Sequence, residues 1–155
     1  LLKRPNDGVI TEGSRSNFIL VMKTEKEEHE TTATDDSKKE NSSSSSSFDG
    51  FEIVEARDED VLMGITRYAI DKICEKQKIP LTKRDITEED IKNAVGLALS
   101  GTSLGCLPIK NLVTFEDGDE NKKATKKVIG NGKIPPILKE LQKQYAAYRD
   151  GEKTF

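Results

Sequence analysis

Asp7-Gly8-Val9-Ile10-Thr11-Glu12-Gly13-Ser14-Arg15-Ser16-Asn17-Phe18 is the stretch on which the reading of this chain turns. An apolar run, Gly8–Ile10, leads into a polar, turn-prone segment, and a second apolar run, Phe18–Met22, leads out of it. That pattern places the Glu12 carboxylate at the end of a sheet. Thr11, Ser14, Ser16 and Asn17 surround it with hydroxyls and an amide, neutral groups able to hold a carboxylate ionised. A fixed carboxylate suits a pyridinium nitrogen, which it keeps protonated so that the ring withdraws electrons. A loop pairing of Glu12 with Arg15 accounts for the spacing equally well.

Working outward, Leu1–Lys3 and Gly8–Thr11 read as short strands around the turn Pro5-Asn6-Asp7-Gly8, and Asn17–Lys23 as a longer one. Segment 24–49 carries acids, threonines and an unbroken serine run, Ser42 to Ser47. Such a composition buries too little apolar surface to offset its ordering entropy, which predicts a disordered insertion in a hairpin loop. Phe51–Glu55 alternates as a strand and is expected to pair with 17–23 across it. A helix follows Gly64, with Ala69, Ile70, Ile73 and Cys74 inward and Arg67, Asp71, Lys72, Glu75 and Lys78 outward, ending before Pro80. Leu81–Ile86 reads as a strand, Thr87–Asp90 as the capped start of a helix to about Ala94, and Leu97–Leu99 and Cys106–Leu112 as two further strands. Residues 117–133 read as a charged loop. After Pro135-Pro136 an amphipathic helix runs to Arg149, with Ile137, Leu138, Leu141, Tyr145 and Tyr148 inward. These alternating short elements predict one mixed domain, α+β or α/β, over 1–155.

Composition closes off other classes. Net charge is −3, and no basic cluster interleaves with aromatics, which argues against nucleic-acid binding. The longest apolar run, Phe18–Met22, is far too short to span a membrane as a helix. Cys74, Cys106 and the single His29 lack any zinc spacing, so two buried reduced thiols and no metal are expected.

Two further polar loops carry chemistry. Gly64-Ile65-Thr66 opens a helix, where free N–H groups and the helix dipole favour an anion, or where Thr66 simply caps. Ser100-Gly101-Thr102-Ser103 follows a buried strand and offers N–H and O–H donors to a phosphate, or makes an ordinary tight turn.

Taken in order, these segments resemble the motifs of the class IV aminotransferases, the fold-type IV pyridoxal-phosphate enzymes. That group includes branched-chain and D-amino acid aminotransferases and aminodeoxychorismate lyase. Asp7–Phe18 resembles the family's glutamate motif, Val61–Arg67 its phosphate turn, and Leu99–Ser103 with Leu107-Pro108-Ile109 its second phosphate loop. Ile129–Lys133 and the last helix with Tyr145 resemble its C-terminal end. The resemblance implies the C-terminal large domain of the D-amino acid aminotransferase-like fold. It implies pyridoxal 5'-phosphate as cofactor, with Glu12 on the pyridine nitrogen and Ile65, Thr66 and Thr102 on the phosphate. Thr102 and Ser103 would meet the substrate carboxylate. It further implies an amino acid, branched-chain-like, and a 2-oxo acid as substrates, a homodimer when intact, and a cytoplasmic, mitochondrial or plastid location. The alternatives are a lyase acting on aminodeoxychorismate and a split subunit without catalysis. Only eleven residues precede Glu12, and Lys3 is wrongly placed for the family's Schiff-base lysine. The opening Leu1-Leu2, without Met, therefore predicts a piece of a longer protein, its N-terminal domain and lysine upstream, inactive alone.

Overall fold

Phe18, Ile19, Leu20 and Val21 are all buried, and a strand whose successive side chains all avoid water must have a layer on each face. That strand, β1 (Asn17–Lys23), is the middle of a five-stranded sheet. The computed structural model describes residues 1–24, 48, 50–115 and 124–151. The predicted disordered insertion, 24–49, lies outside the described residues apart from Thr24 and Phe48. On one side β1 pairs antiparallel with β2 (Phe51–Glu55), Ile19 opposite Glu55 and Lys23 opposite Phe51, the hairpin expected. On the other it pairs antiparallel with β4 (Gly96–Gly101), Asn17 opposite Ser100. β3 (Leu81–Lys83) lies parallel to β2 at one edge, and β5 (Gly105–Pro108) antiparallel to β4 at the other.

Two helices cover one face. In α1 (Ile65–Gln77) the apolar stripe of Ala69, Ile70, Ile73 and Cys74 meets Ile19, Val21, Ile53 and Ala98 of the sheet. Ile137, Leu138, Leu141 and Tyr145 of α3 (Pro136–Arg149) complete that layer. Lys78 ends α1 in the left-handed region at φ 54°, and Ile79 N–H donates to the Cys74 carbonyl, which satisfies the last turn before Pro80. On the opposite face Phe18, Leu20, Val54 and Leu97 pack with Ile10, Ile86, Ile91 and Ala94. Ile91 belongs to α2 (Glu88–Asn93), which starts at the expected cap: Thr87 and Asp90 bond each other's backbone N–H. Arg84 holds Asp90 as well, and pulls its carboxyl down to about 2.

Several expected elements differ. Leu1–Lys3 and Gly8–Thr11 are not regular strands but single bridges, Lys3 to Ile10 and Ile10 to Ile86: Leu2 accepts from Thr11 N–H but donates to the Glu12 carbonyl, a one-residue slip that breaks the ladder. Leu81–Ile86 leaves its ladder with β2 at Lys83, where β2 runs out, and its last residue bridges Ile10 instead. Cys106–Leu112 divides: the bonding to β4 ends just past Pro108, where Ile109 N–H donates to the Leu97 carbonyl, and Asn111 starts β6 (Asn111–Phe115) in a second sheet. Its partner β7 (Ala124–Val128) lies inside the predicted charged loop, exposed along most of its length and so without an apolar alternation to announce it. Among the described residues no helix is long and apolar enough to cross a membrane.

Candidate active site

Glu12 sits half-buried in the turn closed by Gly13 and Ser16, whose backbones bridge. Its carboxylate receives the Leu62 N–H at 3.3 Å and a longer approach from the Asn17 amide at 3.4 Å. The same Asn17 amide donates to the Leu62 carbonyl at 2.9 Å. No ion pair joins Glu12 to Arg15 among the described residues, and Arg15 is exposed, so the loop pairing does not form. Glu12 is thus held by neutral donors, and its charge is not compensated by any described side chain.

Asn17 also fixes the second loop. A side chain at Gly64 would bring its Cβ within 2.9 Å of Asn17 Oδ1 and displace the amide that reaches Glu12 and the Leu62 carbonyl. Gly64 is the N-cap, extended at φ −76°, and no side chain caps the helix. The first intrahelical bond is Tyr68 N–H to Gly64 O, which leaves the N–H groups of Ile65, Thr66 and Arg67 without helical acceptors. Thr66 does not cap: its hydroxyl is buried and meets the Tyr145 hydroxyl at 3.1 Å. Ile65 is 74% exposed, beside Leu62, Met63 and Tyr68, an apolar rim at the same end.

The third loop is the hairpin between β4 and β5. Leu104 N–H closes onto Gly101 O across the three-residue connection 102–104, and β5 opens on Gly105 at φ +64°, a conformation that favours glycine. Thr102 and Ser103 stand exposed on it. Gly101 lies against Arg15 and Ser16, and the Tyr145 ring packs on Gly105. Buried Ser100, at the foot of the loop, keeps an Oγ without a hydrogen-bond partner. Three loops remote in sequence therefore converge, linked by Asn17 on one side and Tyr145 on the other.

Arg67 corrects an expectation. It is not on the outer face but fully buried, its Nε donating to Glu55 Oε2 at 2.8 Å, its Nη2 to the Ala56 carbonyl and pairing with Asp58 at 3.0 Å. Burial and then Asp71 push the Glu55 carboxyl up to about 7, against the pull of Arg67 and Lys83. Lys83 bridges Asp58 and Asp71. This ionic cluster anchors the first turn of α1 from behind. Cys74 and Cys106 are buried free thiols, as expected, and burial pushes both upward, Cys106 to about 12.

Residues 4–112 match the family described as amino-transferase class IV. The chain belongs to the class IV aminotransferases. It is 32% identical over 100 residues to a D-alanine aminotransferase of Staphylococcus aureus (strain N315), covering 64% of this chain and 31% of that protein. A probable branched-chain-amino-acid aminotransferase of Aquifex aeolicus (strain VF5) is 31% identical over 98 residues, 63% of this chain and 28% of that protein. Among solved structures, the T.th. branched-chain amino acid aminotransferase with pyridoxamine 5'-phosphate superposes at TM-score 0.66 and 17% identity, over 99% of this chain and 38% of that one. The Escherichia coli branched-chain amino acid aminotransferase gives 0.64 at 20% identity, over 96% and 38%. The fold is that of these class IV aminotransferases, and the chain spans about a third of the length of the relatives it matches.

Proposed function

We propose that this chain supplies the cofactor-holding wall of a pyridoxal 5'-phosphate-dependent transaminase that moves an amino group between an amino acid and a 2-oxo acid. The observation that carries the reading is the Glu12 carboxylate, held by Leu62 and Asn17 and uncompensated, beside the uncapped start of α1. The donor set fits the cofactor's two polar ends. Glu12 accepts from a protonated ring nitrogen and keeps the proton there. The N–H groups of Ile65 and Thr66 receive the phosphate, aided by the helix dipole. Thr102 adds its amide and hydroxyl, and the Thr102–Ser103 backbone takes the substrate carboxylate. Pyridoxal phosphate, when bound, supplies a ring that withdraws electrons from carbon next to the substrate nitrogen.

The lysine that such chemistry requires comes, in this reading, from polypeptide outside these 155 residues. Lys3 turns away to an ion pair with Glu88, and the relatives are about twice as long. D-alanine and branched-chain amino acids, which name the relatives, are the first donors to try, and the homodimer is part of the same proposal. The test is amino transfer from each donor to a 2-oxo acid by the full-length protein, with pyridoxal phosphate absorbance recorded for it and for residues 1–155 alone. Transfer by the full-length protein and no lysine-bound absorbance from 1–155 are expected. A full-length protein that neither binds the cofactor nor transfers an amino group would remove the proposal.

A further inference from the structure

We infer that Tyr145 is a positioning residue for phosphate binding, locking the first turn of α1 to the Gly101–Gly105 hairpin through one buried side chain. The inference rests on the pyridoxal phosphate reading above, but concerns a residue outside the matched stretch 4–112. Two contacts support it. The Tyr145 hydroxyl lies 3.1 Å from Thr66 Oγ1, and its ring lies against Gly105, where an added Cβ would approach Cδ1 and Cε1 at 3.3 Å. One end of the side chain thus touches Thr66, the second residue of α1, whose N–H has no helical acceptor. The Cδ1–Cε1 side of the ring touches Gly105, where the third loop enters β5. Both loops otherwise belong to separate elements, and a phosphate shared between them needs their spacing fixed in advance.

The hydroxyl pair has a preferred polarity. Either oxygen can donate as the two stand alone. An anion only accepts, so beside one the Thr66 O–H is turned outward while Tyr145 donates into Thr66 Oγ1. Consecutive hydrogen bonds oriented this way strengthen each other in a site shielded from water. Both residues are buried, Thr66 at 2% and Tyr145 at 7% exposure, so bulk water does not compete for the pair. A phenylalanine would keep the contact with Gly105 and lose only the donor.

The experiment compares pyridoxal phosphate with pyridoxal, which lacks the phosphate, as ligands of the intact protein, for the parent and for Tyr145→Phe. Spectroscopic titration gives the ratio of their dissociation constants. The parent should favour pyridoxal phosphate, and Tyr145→Phe should shrink that preference about fivefold to tenfold, the scale of one hydrogen bond. Pyridoxal binding itself should hold steady. Thr66→Val combined with Tyr145→Phe should be no worse than the poorer single variant, since both remove the same bond. A parent without preference for the phosphate overturns the phosphate site and this inference with it. A parent that discriminates, beside a Tyr145→Phe protein with the same ratio or additive losses in the double variant, overturns the inference alone, even if thermal stability falls.

Discussion

Glu12 and Glu55 are both carboxylates at the ends of apolar runs, and the molecule treats them in opposite ways. Glu55 is buried, faces Arg67 directly and has Lys83 and Asp58 within the same cluster. Its carboxylate meets a cation inside the fold, although burial still favours the protonated form, and its work is finished when α1 is anchored. Glu12 is half-buried and, among the described residues, receives only an amide and a backbone N–H. It retains an uncompensated charge at the rim, which is what a cationic ring nitrogen requires. An internally neutralised carboxylate holds structure; one stabilised by neutral dipoles alone is free to hold a ligand.

The largest expected effect breaks the structural member of the pair. Arg67→Ala leaves Glu55 buried without its cation and should cost about 3–5 kcal/mol of stability in urea unfolding. Replacing Glu55 and Arg67 together by methionine should cost far less, since no buried charge is then stranded. Next comes the functional member. Glu12→Gln in the full-length protein should lower kcat about a hundredfold to a thousandfold, as loss of one charge stabiliser does elsewhere. Its unfolding midpoint should stay close to the parent's, and an equal loss of stability would erase the contrast between the two carboxylates.

A smaller effect sharpens the comparison through pH. Glu55 takes up its proton more readily folded than unfolded, about 7 against an ordinary 4.5. Its contribution is therefore complete below about 4.5 and lost as the pH rises through about 7. Urea midpoints measured across that window should fall with pH, and Glu55→Gln should flatten the fall. The smallest concerns the linker between loops. Asn17→Ala removes the amide from Glu12 and from the Leu62 carbonyl, and should cost about 1–2 kcal/mol, read as both a lower midpoint and weaker cofactor binding. An Asn17→Ala protein with unchanged cofactor affinity would show that Leu62 alone holds Glu12.

Legibility in the sequence followed the strength of local signals. The β1–β2 hairpin, α1, the Thr87 cap and α3 were readable because apolar period and capping chemistry are local properties. The β6–β7 hairpin was not, since β7 is almost wholly exposed and carries lysines where alternation would be needed. Arg67 shows the opposite failure. It stands three residues before Ile70 and seven before Cys74, on the inward stripe, so its charge argues for the outer face while its spacing argues for the core. Glu55 likewise shares the face of Ile53. Two opposite charges at buried spacing were a signal for a buried pair.

The sequence by itself determined the three polar loops, the elements that carry them and the glycines that let backbone approach, because each depends on neighbours a few residues away. Only the tertiary structure decided what the loops do together. Asn17 meeting Leu62 and Gly64, Thr66 meeting Tyr145, and Arg67 meeting Glu55 join residues 12 to 79 positions apart. Such contacts depend on strand order and helix docking, which no local pattern encodes. Glu12 read alone fitted a surface salt bridge and a cofactor ligand equally; the fold removed the first by turning Arg15 outward and bringing Leu62 and Asn17 in.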